Sequence, residues 1–166
     1  MKFKTITIDG PAGSGKARIA KYLARKLKYY HLDSGILYRR LALLLLFNNI
    51  NLRKTKDIES FINKIKLLSA RNNNKLRTEI ISKSASKIAK HKFVRNFINK
   101  CQKSIIRKKI ISKGCIIDGR DIGSVVFKDA DLKLYIDVSE KNRAKRRYKQ
   151  LIDNGEKSIY PQILKD

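Results

Sequence analysis

The stretch GPAGSGKAR, residues 10–18, decides how this 166-residue chain is interpreted. Its glycines and its lysine match the spacing G-x-x-x-x-G-K, in which a glycine-rich turn directs successive backbone N–H groups toward one phosphate group. The flanking residues fit the same motif, because FKTITI before the loop alternates like a β-strand and KARIAKYLARKLKY after it has apolar residues at helical spacing. A helix that begins at such a loop favours a bound anion, so the sequence predicts a nucleotide-binding site here.

Short predicted strands alternate with predicted helices along the rest of the chain. Alternation of this kind predicts an α/β fold with a mostly parallel sheet and crossover helices. The strands are expected at residues 3–8, 29–32, 114–118 and 131–139. The helices are expected at residues 16–29, 36–47, 57–68, 79–113 and 139–153.

The charge of the chain is strongly positive, with 40 Lys and Arg against 14 Asp and Glu and a formal net charge of +26. Such a charge favours polyanionic partners, RNA and DNA included. The alternative is a compositional bias, because Lys, Ile and Asn are frequent throughout and the basic residues form no single block. The seven Tyr and six Phe form no recognisable RNA-binding motif, so nucleic-acid binding is not expected as the main role.

Several features favour a cytoplasmic protein without a membrane span. The longest apolar run, LALLLLF at residues 41–47, is shorter than a membrane-spanning helix. The N-terminal MKFKTITIDG lacks the apolar core and cleavage site of a signal peptide. Cys101 and Cys115 lie far apart and form no CxxC pair, so we expect two free thiols rather than a disulfide or a zinc site.

Four further stretches follow the loop in a fixed order: LDSGILYR, LRTE, SASKIAKHKFVR and IDGRDIGSVVF. Together with IDGPAGSGK they resemble the bacterial cytidylate kinase family over nearly the whole chain. The resemblance implies a P-loop nucleoside monophosphate kinase fold that phosphorylates CMP and dCMP, using ATP with Mg²⁺. It also implies one kinase domain over residues 1–166, with a core of about 1–32 and 113–166 and a CMP-binding insert of about 33–112.

The resemblance assigns roles to individual residues. The residues implied for ATP binding are Gly10, Pro11, Ala12, Gly13, Ser14, Gly15, Lys16, Ala17 and Arg18. Those implied for CMP binding are Ser34, Arg39, Arg77, Ser86, Arg95 and Asp121. Those implied for catalysis are Lys16, Arg120 and Asp118, with Asp118 near the metal through a water molecule. Since the acceptor phosphate is already anionic, the reaction needs positioning and charge neutralisation rather than a strong general base.

Each assignment has a simpler structural alternative. The alternative for Arg39 and Arg77 is a surface cation, and the alternative for Ser86 is a small residue at a helix contact. The alternative for Asp118 and Asp121 is a carboxylate that caps the turn after a strand, although two of only 14 acidic residues flank Gly119 and Arg120 here. At the level of the whole protein, the alternatives are another nucleoside monophosphate kinase and a nucleotide-binding remnant with weak or no activity.

The sequence departs from the family pattern in three places. Ala17 and Arg18 follow Lys16, where phosphate loops usually carry a Ser or Thr hydroxyl for the metal ion; Arg18 is consistent with either a phosphate contact or a solvated side chain. The segment between Phe47 and Arg77 predicts a reduced CMP-binding insert. The family's lid, last strand and last helix are expected to be missing, with Arg143, Arg146 and Arg147 near the lid's entrance.

We expect a monomer, or association through the sheet edge at residues 131–138.

Overall fold

A computed structural model describes residues 4–66, 68–70, 76, 78–109 and 113–153. Within these ranges the chain forms four β-strands and six α-helices, which confirms the expected α/β alternation. The strands are β1 (Thr5–Asp9), β2 (Tyr30–Asp33), β3 (Cys115–Gly119) and β4 (Leu132–Tyr135). The helices are α1 (Lys16–Leu27), α2 (Ser34–Phe47), α3 (Thr55–Asn63), α4 (Glu79–Ile88), α5 (Lys92–Lys109) and α6 (Glu140–Asp153). None of the helices in the described part is long and apolar enough to cross a membrane.

The chain divides into two compact units, and the phosphate loop belongs to the first, which comprises Met1–Tyr29 and Ile116–Asp166. Three strands of the sheet, β3, β1 and β4, lie side by side in that order within this unit. β1 and β4 are parallel, with Ile6 opposite Leu132 and Asp9 opposite Tyr135. This register brings the carboxyl end of β4 beside the point where the phosphate loop leaves β1.

Helix α1 packs on this sheet through small residues. Ala20 and Ala24 are buried against Ile6, Ile8 and Ile116. The helical spacing in the sequence also predicts Ile19 and Leu27 as core residues, but they are 38% and 45% exposed. Alanine takes the buried positions because its short side chain lets the helix backbone approach the strands closely.

The second unit, Tyr30–Cys115, is built mainly from helices α2 to α5. Helix α2 packs against α4 and α5, and the apolar run predicted as a buried helix contributes Leu41 and Leu45 to the centre of this core. Asp33 caps α2, because its carboxylate accepts a hydrogen bond from the Gly35 N–H at 3.0 Å. The cap places Ser34 in the first turn of the helix.

Two predicted helices of the second unit have different bounds in the structure. Helix α3 ends at Asn63 rather than at residue 68. The helix expected over residues 79–113 is two helices, because the chain turns between Ile88 and Lys92. The turn allows α4 and α5 to direct Ile88 and Ile98 into the same core, which one straight helix does not do.

Candidate functional site

The phosphate loop has the backbone conformation that its glycines permit. Gly13 and Gly15 have φ angles of 76° and 87°, in the left-handed region that residues with a Cβ atom rarely adopt. The Ser14 N–H donates to the Pro11 carbonyl at 3.3 Å and closes the turn. Helix α1 begins at Lys16 and has no acidic side chain in its first turn. The loop and the helix N-terminus therefore form an anion-binding cradle.

Lys16 lies over its own loop. Its Nζ donates to the Pro11 carbonyl at 3.0 Å, and its backbone N–H donates to the Ser14 hydroxyl at 3.4 Å. These contacts hold the ammonium group beside the turn, where it adds a point charge to the backbone N–H groups. Ala17 and Arg18, the next two residues, are exposed and supply no hydroxyl group.

Asp9, the residue before the loop, connects the two segments that form the site. Its carboxylate accepts hydrogen bonds from the backbone N–H groups of Ile122 and Gly123, each at 2.8 Å. These N–H groups begin a short helix with π-type hydrogen bonding, Ile122–Val126, which the sequence pattern did not predict. Since Arg120 lies only two residues before this helix, the Asp9 carboxylate fixes the position of Arg120 relative to the phosphate loop.

Asp118 and Arg120 lie at the carboxyl end of β3, the strand next to β1. Asp118 is 2% exposed and so lies in the interior, whereas Arg120 is exposed. A cleft of about 330 Å³ opens at the carboxyl ends of the three strands, which is the edge where open parallel sheets bind ligands. It is lined by Gly10, Pro11, Ala12, Arg120, Tyr135 and Arg143.

The residues of the site fit a metal ion that is held mainly by substrate phosphates. In the part of the chain that the structure describes, three or more His, Cys, Asp or Glu side chains nowhere cluster into a metal site. Magnesium commonly binds through one or two carboxylates together with nucleotide phosphates and water. The buried carboxylate of Asp118, beside the loop's own strand, is a donor of that kind.

The residues implied for CMP binding are divided between the two units. Ser34 and Arg39 belong to α2, and a Cβ atom added to Gly35 would lie 3.9 Å from the Arg39 guanidinium, so Arg39 covers the first turn of this helix. Ser86 on α4 and Arg95 on α5 are exposed. Asp121 is in the first unit and half-buried, and Arg77 lies outside the described residues. Of the residues implied for CMP binding, the structure therefore brings together Ser34 and Arg39, near the start of α2.

Sequence reasoning gave no role to Asp9 or Tyr135. One sequence feature could have indicated a role for Asp9: it is an acidic residue at the end of a strand, directly before the loop, in a chain with few acidic residues. Tyr135 lies opposite Asp9 in the sheet register and lines the cleft. This position follows from the pairing of β4 with β1, which no short sequence pattern indicates. Arg146 was expected near the lid's entrance, and the structure shows that it hydrogen-bonds to the phosphate loop.

Comparison with known proteins adds sequence evidence to this geometry. A family model described as cytidylate kinase matches residues 6–166. The chain is 38% identical to a cytidylate kinase of Thermosipho melanesiensis, over 97% of this chain and 76% of that protein. It is 40% identical to the cytidylate kinase of Thermosipho africanus, over 97% of this chain and 74% of that protein. The cytidylate kinase of Fusobacterium nucleatum is 37% identical, over 96% and 76%.

One solved structure supports the fold alone. The crystal structure of TT1252 from Thermus thermophilus superposes with a TM-score of 0.50 at 14% identity. It matches 99% of this chain and 78% of that one. The overall fold is thus shared with a protein of very different sequence.

Proposed function

The chain belongs to the cytidylate kinase family, and from this premise we propose how its residues divide the work of the reaction. It is a phosphotransferase whose function is the ATP-dependent phosphorylation of CMP and dCMP to the diphosphates, with ADP as the second product. The observation that carries this conclusion is a family match over residues 6–166 on a chain that forms the phosphate-loop cradle. It favours a kinase over a nucleotide-binding remnant and over another nucleoside monophosphate kinase.

The phosphate loop is the proposed ATP site. Residues 10–18 hold the phosphates through backbone N–H groups, and Lys16 neutralises charge on the outer phosphates. Arg120, at the edge of the cleft, stabilises the transferred group, in which negative charge is spread over three oxygens. Support comes from the contact of Lys16 with the loop and from the position of Arg120 in the cleft lining.

The second unit is the proposed acceptor side. In this assignment residues 33–112 form the CMP-binding insert, and residues 1–32 and 113–166 form the core. The division of the described chain near Tyr30 and Cys115 supports these limits. The side chains proposed to bind CMP are Ser34, Arg39, Arg77, Ser86 and Arg95, with Asp121 from the core. An arginine, an aspartate and a serine match the donor and acceptors of cytosine and reject uracil, because an unpaired buried polar group is costly.

The family uses ATP with a divalent metal ion, and we propose Mg²⁺ as that ion. When bound, it would supply charge neutralisation to the nucleotide phosphates. Asp118 would hold it through a water molecule, which suits a buried carboxylate at the end of the strand next to the loop. The loop backbone would continue to bind phosphate, although neither Ala17 nor Arg18 offers the usual hydroxyl ligand.

We propose a cytoplasmic monomer that acts on small nucleotides. β4 is the last strand in the sheet order, and its exposed residues include Lys133. A lysine on an edge strand discourages pairing with a second chain. Association of two copies through β4 is the alternative, and the molar mass in solution distinguishes the two.

The function is tested with a panel of acceptors and one loop variant. The purified chain with ATP and Mg²⁺ is expected to release ADP with CMP and dCMP in strong preference to AMP, UMP and shikimate. Lys16→Ala is expected to lower the rate at least about a hundredfold, because a charge that faces the transferred group is lost. The matched control is Lys21→Ala, which removes the same charge from an exposed position on α1.

Three results would contradict these assignments. Preference for another acceptor would exclude cytidylate as the substrate. Nucleotide binding without turnover would support the remnant. Full activity of Lys16→Ala would show that residues 10–18 are not the ATP site.

A further inference from the structure

Arg146 on α6 binds the outside of the phosphate loop. Its Nη1 donates to the Ser14 carbonyl at 2.8 Å and to the Gly13 carbonyl at 3.3 Å. Both acceptors are backbone oxygens, so the contact does not depend on the side chains of the loop. It joins residues 132 positions apart in the sequence.

The position of these carbonyls determines where the loop N–H groups point. In a trans peptide the carbonyl and the following N–H point in opposite directions. A guanidinium group that holds the Gly13 carbonyl therefore keeps the Ser14 N–H directed at its partner, the Pro11 carbonyl. By the same geometry, the bond to the Ser14 carbonyl directs the Gly15 N–H away from α6. That N–H is one of the donors by which such loops bind phosphate.

The glycines of the loop lie close to α6 at this contact. A Cβ atom added to Gly15 would lie 3.3 Å from the Arg146 Nη1. One added to Gly13 would lie 3.3 Å from the backbone carbonyl of Arg143, one turn earlier on α6. Both distances are tighter than an ordinary van der Waals contact. The loop is thus fitted to α6 at two adjacent points.

We propose that Arg146 is a positioning residue for ATP binding, which acts through the Gly13 and Ser14 carbonyls rather than by touching a phosphate. Its guanidinium group fixes the two peptide planes before the nucleotide arrives, so less ordering entropy is lost on binding. A positive charge on the carbonyl side also polarises the peptides, which strengthens their N–H groups as donors. This proposal rests on the proposed function and deepens it.

The alternative is that Arg146 leaves the loop and contacts the terminal phosphate of ATP. The two roles differ in their dependence on that phosphate. A loop-positioning residue affects ATP and ADP equally, because both carry the phosphates that the loop binds. A residue that contacts the terminal phosphate affects ATP alone. The positioning role requires a change in the loop without nucleotide, and the comparison of ATP with ADP separates it from the alternative.

The test compares Arg146→Met with Lys145→Met, which removes the same charge from the adjacent exposed position on α6. Affinities for ATP and ADP are measured by calorimetry, and amide hydrogen exchange at Ser14 and Lys16 is measured in the nucleotide-free protein. We expect Arg146→Met to weaken the binding of ATP and of ADP by about tenfold, because a charge-assisted hydrogen bond to the loop is lost. We also expect faster exchange at both amides and an unchanged KM for CMP. Lys145→Met should keep all values within about twofold, because the hydrogen bonds that the structure describes from α6 to the Gly13 and Ser14 carbonyls come from Arg146.

The proposal is overturned if Arg146→Met weakens the binding of ATP alone, weakens the binding of neither nucleotide, leaves amide exchange unchanged or raises the KM for CMP. It is also overturned if Lys145→Met loses as much nucleotide affinity as Arg146→Met. If Arg146→Met does not fold, Arg146→Lys allows the same comparison, with equal losses for ATP and ADP in support and any other pattern against. The wild-type chain is assayed in parallel for phosphorylation of CMP. Failure of that reaction contradicts the proposed function, whereas the nucleotide affinities, which need no CMP, still decide the role of Arg146.

Discussion

Replacing Asp9 by Asn removes one of the two hydrogen bonds that join β1 to the segment after β3. Both carboxylate oxygens of Asp9 accept a backbone N–H at 2.8 Å, and the residue is only 8% exposed. The asparagine oxygen retains one bond, but its NH₂ group faces the second backbone N–H. Two donors then meet in a place that water does not reach.

The expected loss of stability follows from this geometry. A hydrogen bond to a charged group contributes about 1.5–3 kcal/mol, and the remaining N–H is left buried without its acceptor. We therefore expect Asp9→Asn to lower the free energy of unfolding by about 2–3 kcal/mol. For a chain of this length such a loss lowers Tm by about 4–12 °C. Kinase activity should fall as well, because Arg120 is no longer held beside the loop.

Asp131→Asn is the matched control. The Asp131 carboxylate also accepts two backbone N–H groups, from Lys4 at 3.0 Å and Thr5 at 2.7 Å, but it is exposed. Both N–H groups donate to the same oxygen, Oδ2, which an asparagine oxygen can replace, and water reaches this exposed position. The expected loss is therefore below about 1 kcal/mol. Urea unfolding followed by circular dichroism measures both variants. Equal losses, or a loss below about 0.5 kcal/mol in Asp9→Asn, would contradict this prediction, because a buried N–H left facing a second donor would then cost little.

Two further predictions concern the interior. Gly123→Ala places a Cβ atom 2.5 Å from the Thr7 hydroxyl oxygen, and should lower stability by about 1–3 kcal/mol in thermal unfolding. Thr7→Ala in the same chain should restore part of that loss, and an additive double variant would contradict the contact. Cys101 and Cys115 are both buried, and burial raises the pKa of the Cys101 thiol. Ellman's reagent should therefore label neither cysteine in the native protein and both in denaturant; rapid labelling of the native protein would disprove their burial.

The local features of the fold were predictable from the sequence. Glycine spacing predicted the loop. Alternation predicted the first strand, short apolar stretches predicted the other three, and helical spacing predicted most of the helices, because these signals depend on neighbouring residues. Helix bounds were less predictable: the division between Ile88 and Lys92 depends on where the core of the second unit lies. No sequence pattern predicted the helix with π-type hydrogen bonding, Ile122–Val126, because its first N–H groups are satisfied by the distant Asp9 carboxylate.

The sequence alone thus determined that a phosphate loop joins a strand to a helix, and its motif order placed the chain in a kinase family. Only the tertiary structure decided what holds that loop in place. Asp9 bonds to residues 113 and 114 positions away, and Arg146 to a residue 132 positions away. Such pairs depend on the order of the strands and the direction of α6, and neither is encoded in any short stretch of residues. The phosphates are bound by a local motif, whereas the shape of that motif is maintained by side chains far along the chain.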